Sequence, residues 1–244
     1  MQPDWAAPVG AWCSERAGGS SHGPYASLNL GSAVGDDAAA VAANRRRFGA
    51  QLQAAQPVWL RQVHGRRVLR LSAANLAAPP QEADAAWTDQ AGIACAVQVA
   101  DCLPVLFAAP DGRAVAAAHA GWRGLAAGVL EATIAALCEG AALEPAGLHA
   151  WLGPCIGPEA FEVGADVHAA FEADAQHLRF QARADGAPRW RADLPALARA
   201  RLQRAGVQHI SGGHWCTVST PSRFFSYRRD GITGRFAAAV WRRV

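Results

Sequence analysis

The strongest constraint on the fold lies between Leu103 and His119. Two apolar runs, Leu103-Pro-Val-Leu-Phe-Ala-Ala109 and Arg113-Ala-Val-Ala-Ala-Ala-His119, flank Pro110-Asp-Gly112. Proline pre-sets φ for a turn, aspartate bonds to backbone two residues on, and glycine accepts positive φ. The segment therefore reads as a β-hairpin. Pairing Ala109 with Gly112 across a two-residue loop sets Cys102 opposite His119, although a longer loop slides that register. Directly opposed residues have Cβ atoms ~5 Å apart, close enough for a thiolate and an imidazole to share one ion. Pro104 has no N–H to give to a ladder, so its strand is expected at a sheet edge, or to begin after it.

Around this hairpin, helices and strands mix without a strict βαβ alternation. Residues 37–54 read as a helix capped by Asp36 or Asp37, and 125–139 as one that Gly140 ends. Residues 158–172 and 193–205 are further helix candidates. Strands are expected within 58–72, broken at His64-Gly65, and at 93–99, 208–219 and 235–242. The fold class that follows is α+β, with mixed or antiparallel sheets flanked by helices, in a single domain spanning residues 1–244. Apolar residues form 51 % of the chain, enough for a sizeable core, and charged residues only 18 %, which argues against disorder.

Several chemistries are excluded. All 23 basic residues are arginine, so there is no Gly-Lys-Ser/Thr phosphate loop, no Schiff-base lysine and no pyridoxal phosphate linkage. Arg45-Arg46-Arg47 and Arg228-Arg229 are short runs that read as solvated faces or isolated anion contacts, and the net charge of +3 is mild; no nucleic-acid partner is expected. No apolar stretch reaches the ~20 residues of a membrane span, and the first residues lack the basic and apolar regions of a signal peptide. A cytoplasmic protein is expected, and its six cysteines need no disulfides there. The absence of any Cys-x-x-Cys pair removes zinc ribbons and thioredoxin chemistry.

The chemistry-bearing residues cluster at turns. Cys102 follows Asp101 at a strand end, His119 opens the glycine-rich Ala-Gly-Trp-Arg-Gly turn, and His64 lies in the break Gln62-Val-His-Gly65. Such positions carry function more often than core positions do, though a core cysteine beside a satisfied histidine is the plainer reading of the pair. Arg123 stands just before the helix expected near Leu125, where free N–H groups favour an anion. Arg16, beside Gly18-Gly19, is a second anion candidate; both also read as surface arginines. Asp84 and Asp101 are the carboxylates to serve as general acid or base, or to orient a ligand; a turn cap is the alternative. Trp122 offers a face for a purine or a filler for the core. Cys155 reads as part of a structural turn rather than a nucleophile.

Six segments together resemble one family. Gly23-Pro-Tyr-Ala-Ser-Leu-Asn-Leu30, Gln62-Val-His-Gly65, Ala100-Asp-Cys-Leu-Pro-Val105, His119-Ala-Gly-Trp-Arg-Gly124, Gly153-Pro-Cys-Ile-Gly157 and Phe225-Ser-Tyr-Arg-Arg-Asp-Gly-Ile-Thr-Gly234 are similar, in order, to the signatures of the YfiH/YlmD family. These are purine nucleoside phosphorylases long described as laccase-like polyphenol oxidases. Two departures, Ser14-Glu-Arg16 and Phe236, touch no ligand.

The resemblance implies that His64, Cys102 and His119 bind a metal. Three protein ligands leave tetrahedral zinc an open position, the pattern of catalytic sites; copper also binds such a set. The implied activity is phosphorolysis of inosine, adenosine and S-methyl-5′-thioadenosine to base and ribose 1-phosphate, with adenosine deamination as a side reaction. The expected partners are the nucleoside and phosphate, bound by a monomer, with Arg16 and Arg123 positioning the phosphate. Other readings are a copper-dependent polyphenol oxidase, a metal or cysteine hydrolase acting on a cell-wall precursor, and a non-enzymatic metal-binding module. A four-copper centre fails by counting, because the chain has eight histidines and no His-x-His.

Overall fold

The computed structural model describes residues 1–243. Its centre is a six-stranded mixed sheet, ordered His209–Gly212, His149–Leu152, Leu103–Ala108, Val115–Ala120, Ala85–Thr88, Val68–Arg70. A four-stranded sheet, ordered Gly10–Cys13, Phe236–Trp241, Ile93–Val99, Gln56–Val58, covers one of its faces. A third, three-stranded sheet of Leu178–Phe180, Trp190–Ala192 and Glu162–Val163 lies to one side. The α+β class expected from the sequence is the class observed.

Alternation along the strands builds a helix–sheet–sheet–helix stack. Leu106, Ala108, Val115 and Ala117 meet Cys95, Val97, Ala238 and Val240 of the four-stranded sheet. Val105, Phe107, Ala116 and Ala118 point the other way, onto helices Val129–Ala141 and Leu194–Arg204 through Leu130, Ile134, Leu137 and Leu197. Ala94, Ala96, Ala237 and Ala239 face outward from the second sheet onto Phe48 of helix Ala38–Ala50. Strands buried on both faces read as unbroken apolar runs, which is why the hairpin arms show no polar face.

The hairpin forms in a shifted register. Ala109 N–H bonds to the Ala114 carbonyl at 2.9 Å and Gly112 N–H to the Ala109 carbonyl at 3.0 Å, so the loop is Pro110–Arg113 rather than two residues. Pro104 stands opposite His119, and Cys102 lies just before the strand. Nor is the Pro104 strand an edge. Its pairing with strand His149–Leu152 begins only at Val105, so at Pro104 no N–H is required, and its carbonyl still accepts from Gly153 N–H at 2.9 Å. Two helices replace the single one expected at 125–139: Trp122–Ala126 and Val129–Ala141, broken at Gly128 with φ of 90°. Gly140 lies inside the second helix, which ends at Ala142 with φ of 49°. Asp37 and Asp193 cap their helices through Ala40 N–H and Ala196 N–H. No helix among the described residues is long and apolar enough to cross a membrane.

Candidate metal centre

Strand Val115–Ala120 carries His119 to the end of the central sheet, and Asp84 immediately precedes the neighbouring strand. The ladder runs Ala85 against Ala118, and one step on, His119 N–H donates to the Asp84 carbonyl at 2.7 Å. The side chains meet as well. His119 Nδ1 lies 2.8 Å from Asp84 Oδ1, which leaves Nε2 as the free ring nitrogen.

Asp84 is completely buried, and its carboxylate has further donors. Val63, His64 and Gly65 N–H point at it from 3.2, 2.8 and 2.7 Å. Three consecutive amides converging on one carboxylate form an anion nest. The nest holds His64 at a positive φ of 61°, a conformation a histidine adopts only when its surroundings fix it. One side chain thereby positions the ring of one histidine and the backbone of another. Burial pushes the Asp84 carboxyl up, but His119 and the loop amides outweigh it and hold it below its usual range.

Cys102 Sγ lies 3.8 Å from His64 Nε2, and one ligand atom from each of His64, Cys102 and His119 falls within 4.8 Å of the others. Gly121 makes room for this arrangement: a Cβ there would stand 2.8 Å from Cys102 Sγ and 2.9 Å from His64 Cδ2. Burial raises the Cys102 thiol, yet His119 and His64 reverse the effect and bring it down to about 6. Burial likewise pushes His119 down, while Cys102 and Asp84 more than reverse this and lift it to about 9. A thiolate beside two imidazoles, one of them oriented by a buried carboxylate, is the donor set of a transition-metal site. The cluster fits a metal ion.

The three side chains sit in the wall of a cleft of about 820 Å³, which Asp101 and Trp122 also line. The Asp101 carboxylate accepts from Thr217 Oγ1 at 2.5 Å and from Arg228 N–H at 2.7 Å, and Asp101 has φ of 91°. It braces the turn that presents Cys102.

Two sequence candidates lie elsewhere. Arg16 gives Nε and Nη2 to the Ala26 carbonyl and Nη1 to the Pro221 carbonyl, over the Phe225 ring; its donors are engaged in tying loops together. Arg123 is exposed and folds over the Trp122 ring, 4.3 Å from its centroid. Neither lines the cleft. The arginines that do include Arg45, Arg228 and Arg235, which sequence reasoning did not select as site residues. The motif around Arg228 was legible, but nothing local in it marks a cleft. Cys155 is fully buried with its thiol pushed well up by desolvation, the state of an inert core thiol.

Comparison with known proteins extends the picture. Residues 10–243 match the family described as multi-copper polyphenol oxidoreductase laccase. A purine nucleoside phosphorylase of Pseudomonas aeruginosa is 48% identical over 244 residues, covering 99% of this chain and 97% of that protein. The purine nucleoside phosphorylase YfiH of Escherichia coli is 47% identical over 247 residues, covering 98% and 97%. Among solved structures, a Neisseria meningitidis protein superposes with a TM-score of 0.91 at 45% identity, over 100% of this chain and 99% of that one. YlmD from Geobacillus stearothermophilus gives 0.90 at 33% identity, over 98% and 93%.

Proposed function

As the chain belongs to the multi-copper polyphenol oxidoreductase laccase family, and relatives 48% and 47% identical to it are named purine nucleoside phosphorylases, we propose that it is a zinc-dependent purine nucleoside phosphorylase. Its substrates would be inosine, adenosine and S-methyl-5′-thioadenosine, and adenosine deamination a side activity. A phosphate oxygen bonds to C1′ as the N9–C1′ bond breaks, its electron pair leaving on the base, which takes up a proton. The products are free base and ribose 1-phosphate. Six free cysteines favour a cytoplasmic setting.

The observation that carries this reading is the His64–Cys102–His119 cluster in the wall of a cleft large enough for a nucleoside. These three residues would hold zinc, and three protein ligands suit a catalytic rather than a structural ion. When bound, zinc supplies a Lewis acid that polarises oxygen. Asp84, 2.8 Å from His119 Nδ1, would keep the ring proton there and leave Nε2 as the donor to the metal. Asp101 fixes the turn before Cys102. Trp122, half-buried in the cleft wall, offers an apolar face to a purine.

The test is product analysis on protein of defined metal content, incubated with inosine or adenosine with and without phosphate. Hypoxanthine and ribose 1-phosphate should form from inosine only when phosphate is present. Free ribose released without phosphate would make the enzyme a hydrolase. Oxidation of phenols by copper-loaded protein, without nucleoside cleavage, would favour the oxidase.

A further inference from the structure

Arg235, just before strand Phe236–Trp241, lines the cleft that holds Cys102 and His119. Its guanidinium is oriented from one side: Nη1 donates to the Thr233 and Gly234 carbonyls, each at 3.0 Å. Those two bonds use both Nη1 protons. Nε and Nη2, with three N–H donors between them, have no acceptor among the described residues, and no ion pair there includes Arg235. The free pair is the side-on edge of the fork, whose parallel N–H groups match two oxygens of a carboxylate or phosphate.

The position is built, not incidental. Arg235 N–H donates to Asn29 Oδ1 at 2.8 Å, and Leu30 N–H returns a bond to the Arg235 carbonyl at 2.9 Å. Asn29 is fully buried, and the same Oδ1 accepts from Gly31 N–H at 2.9 Å. A Cβ on Gly31 would lie 2.8 Å from Arg235 Cγ, so the chain can cross the arginine stem only with glycine there. Two of the other cleft arginines have partners of their own. Arg61 pairs with Glu82 at 2.7 Å, and Arg45 is held by the Leu30 carbonyl and Ser32 Oγ.

We propose that Arg235 is the phosphate-binding residue of the cleft, its Nε–Nη2 edge gripping two oxygens of inorganic phosphate. The assignment rests on the phosphorylase reading, and the chemistry of that reaction selects the ligand. A nucleoside is neutral and phosphate a dianion, so a half-buried arginine without a carboxylate discriminates for the phosphate. Arg228, also in the cleft and with one bond to the Glu162 carbonyl, supplies a second cation.

Calorimetric titration of inorganic phosphate into zinc-loaded protein tests this directly. Arg235→Met keeps the stem beneath Gly31 and removes the fork; it should weaken phosphate binding about thirtyfold or more, the worth of a bidentate charge-assisted pair. Arg235→Lys, which keeps the charge and loses the fork, should fall between the two and serves should the methionine variant fail to fold. In turnover, KM for phosphate should rise in parallel while KM for inosine stays within about threefold, a split that a general structural defect would not give. Phosphate binding unchanged in both variants, with ribose 1-phosphate still formed, overturns the proposal and leaves the phosphorylase reading standing. Loss of zinc with phosphate binding retained also overturns it, making Arg235 a counter-charge for Cys102. Wild-type protein that neither binds phosphate nor forms ribose 1-phosphate overturns the phosphorylase reading itself.

Discussion

Asp84 and His119 are joined twice, through the main chain at 2.7 Å and through the side chains at 2.8 Å. The first contact is ordinary sheet pairing. The second turns that pairing into a device for aiming an imidazole, and the loop amides of Val63, His64 and Gly65 complete it. A fully buried carboxylate with four donors is stable only as long as they all remain.

Asp84→Asn is therefore expected to damage the centre without touching a ligand. An amide has one acceptor oxygen for four donors and directs its own N–H groups at some of them. Zinc affinity should fall about 10- to 100-fold, and stability by about 2 kcal/mol or more from the donors left unpaired. Chelator competition and a thermal melt measure the two effects. Zinc affinity equal to wild type would show that the carboxylate does not orient His119.

Gly121→Ala probes the cradle from the other side. The new methyl group would stand within 2.9 Å of both Cys102 and His64, while Gly121 has an ordinary φ of −66°, so the strain falls on the ligands and not on the backbone. The variant should keep a native circular-dichroism spectrum and lose most of its zinc. Full metal content would mean that the ligands close around the ion differently.

In metal-free protein the same residues set a pH window. Cys102, lowered from 9.0 to about 6, adds stability that is complete above pH 9.0 and vanishes as pH falls through about 6. His119, raised from 6.5 to about 9, adds stability that is complete below pH 6.5 and lost as pH rises through about 9. The two shifts depend on each other, so the thiolate–imidazolium pair is intact between those limits. Melting temperature should plateau in that window, and thiolate absorbance should disappear with a midpoint near 6. A midpoint near 9 would show that Cys102 has no ionic partner.

The legibility of this chain followed the range of each signal. A cap at Asp36 or Asp37 was readable because a side chain and the amide three residues on make the bond, and Asp37 makes it to Ala40 N–H. The hairpin was readable, but its register was not. Pro110-Asp-Gly112 suits both a two-residue and a four-residue loop, and Arg113 gives no sign of belonging to the latter. Strands such as Gly10–Cys13 and Ala85–Thr88 are too short to show a period. Cys102 and His119 stood out because turn-borne motifs carried them. Arg16 and Arg123 were chosen on neighbouring glycines and a helix start, which say nothing about a cleft assembled from distant segments. Arg235 was invisible for the same reason: one arginine in a chain whose 23 basic residues are all arginine acquires meaning only when the fold sets it in the cleft that Cys102 also lines.

The most direct test of the central claim is phosphorus NMR of zinc-loaded protein supplied with inosine and inorganic phosphate. The ribose 1-phosphate signal should grow at the expense of phosphate, in step with hypoxanthine release, and Cys102→Ala, with its zinc lost, should abolish it. Hypoxanthine release with the phosphate signal unchanged, or undiminished turnover by the zinc-free variant, would contradict the account.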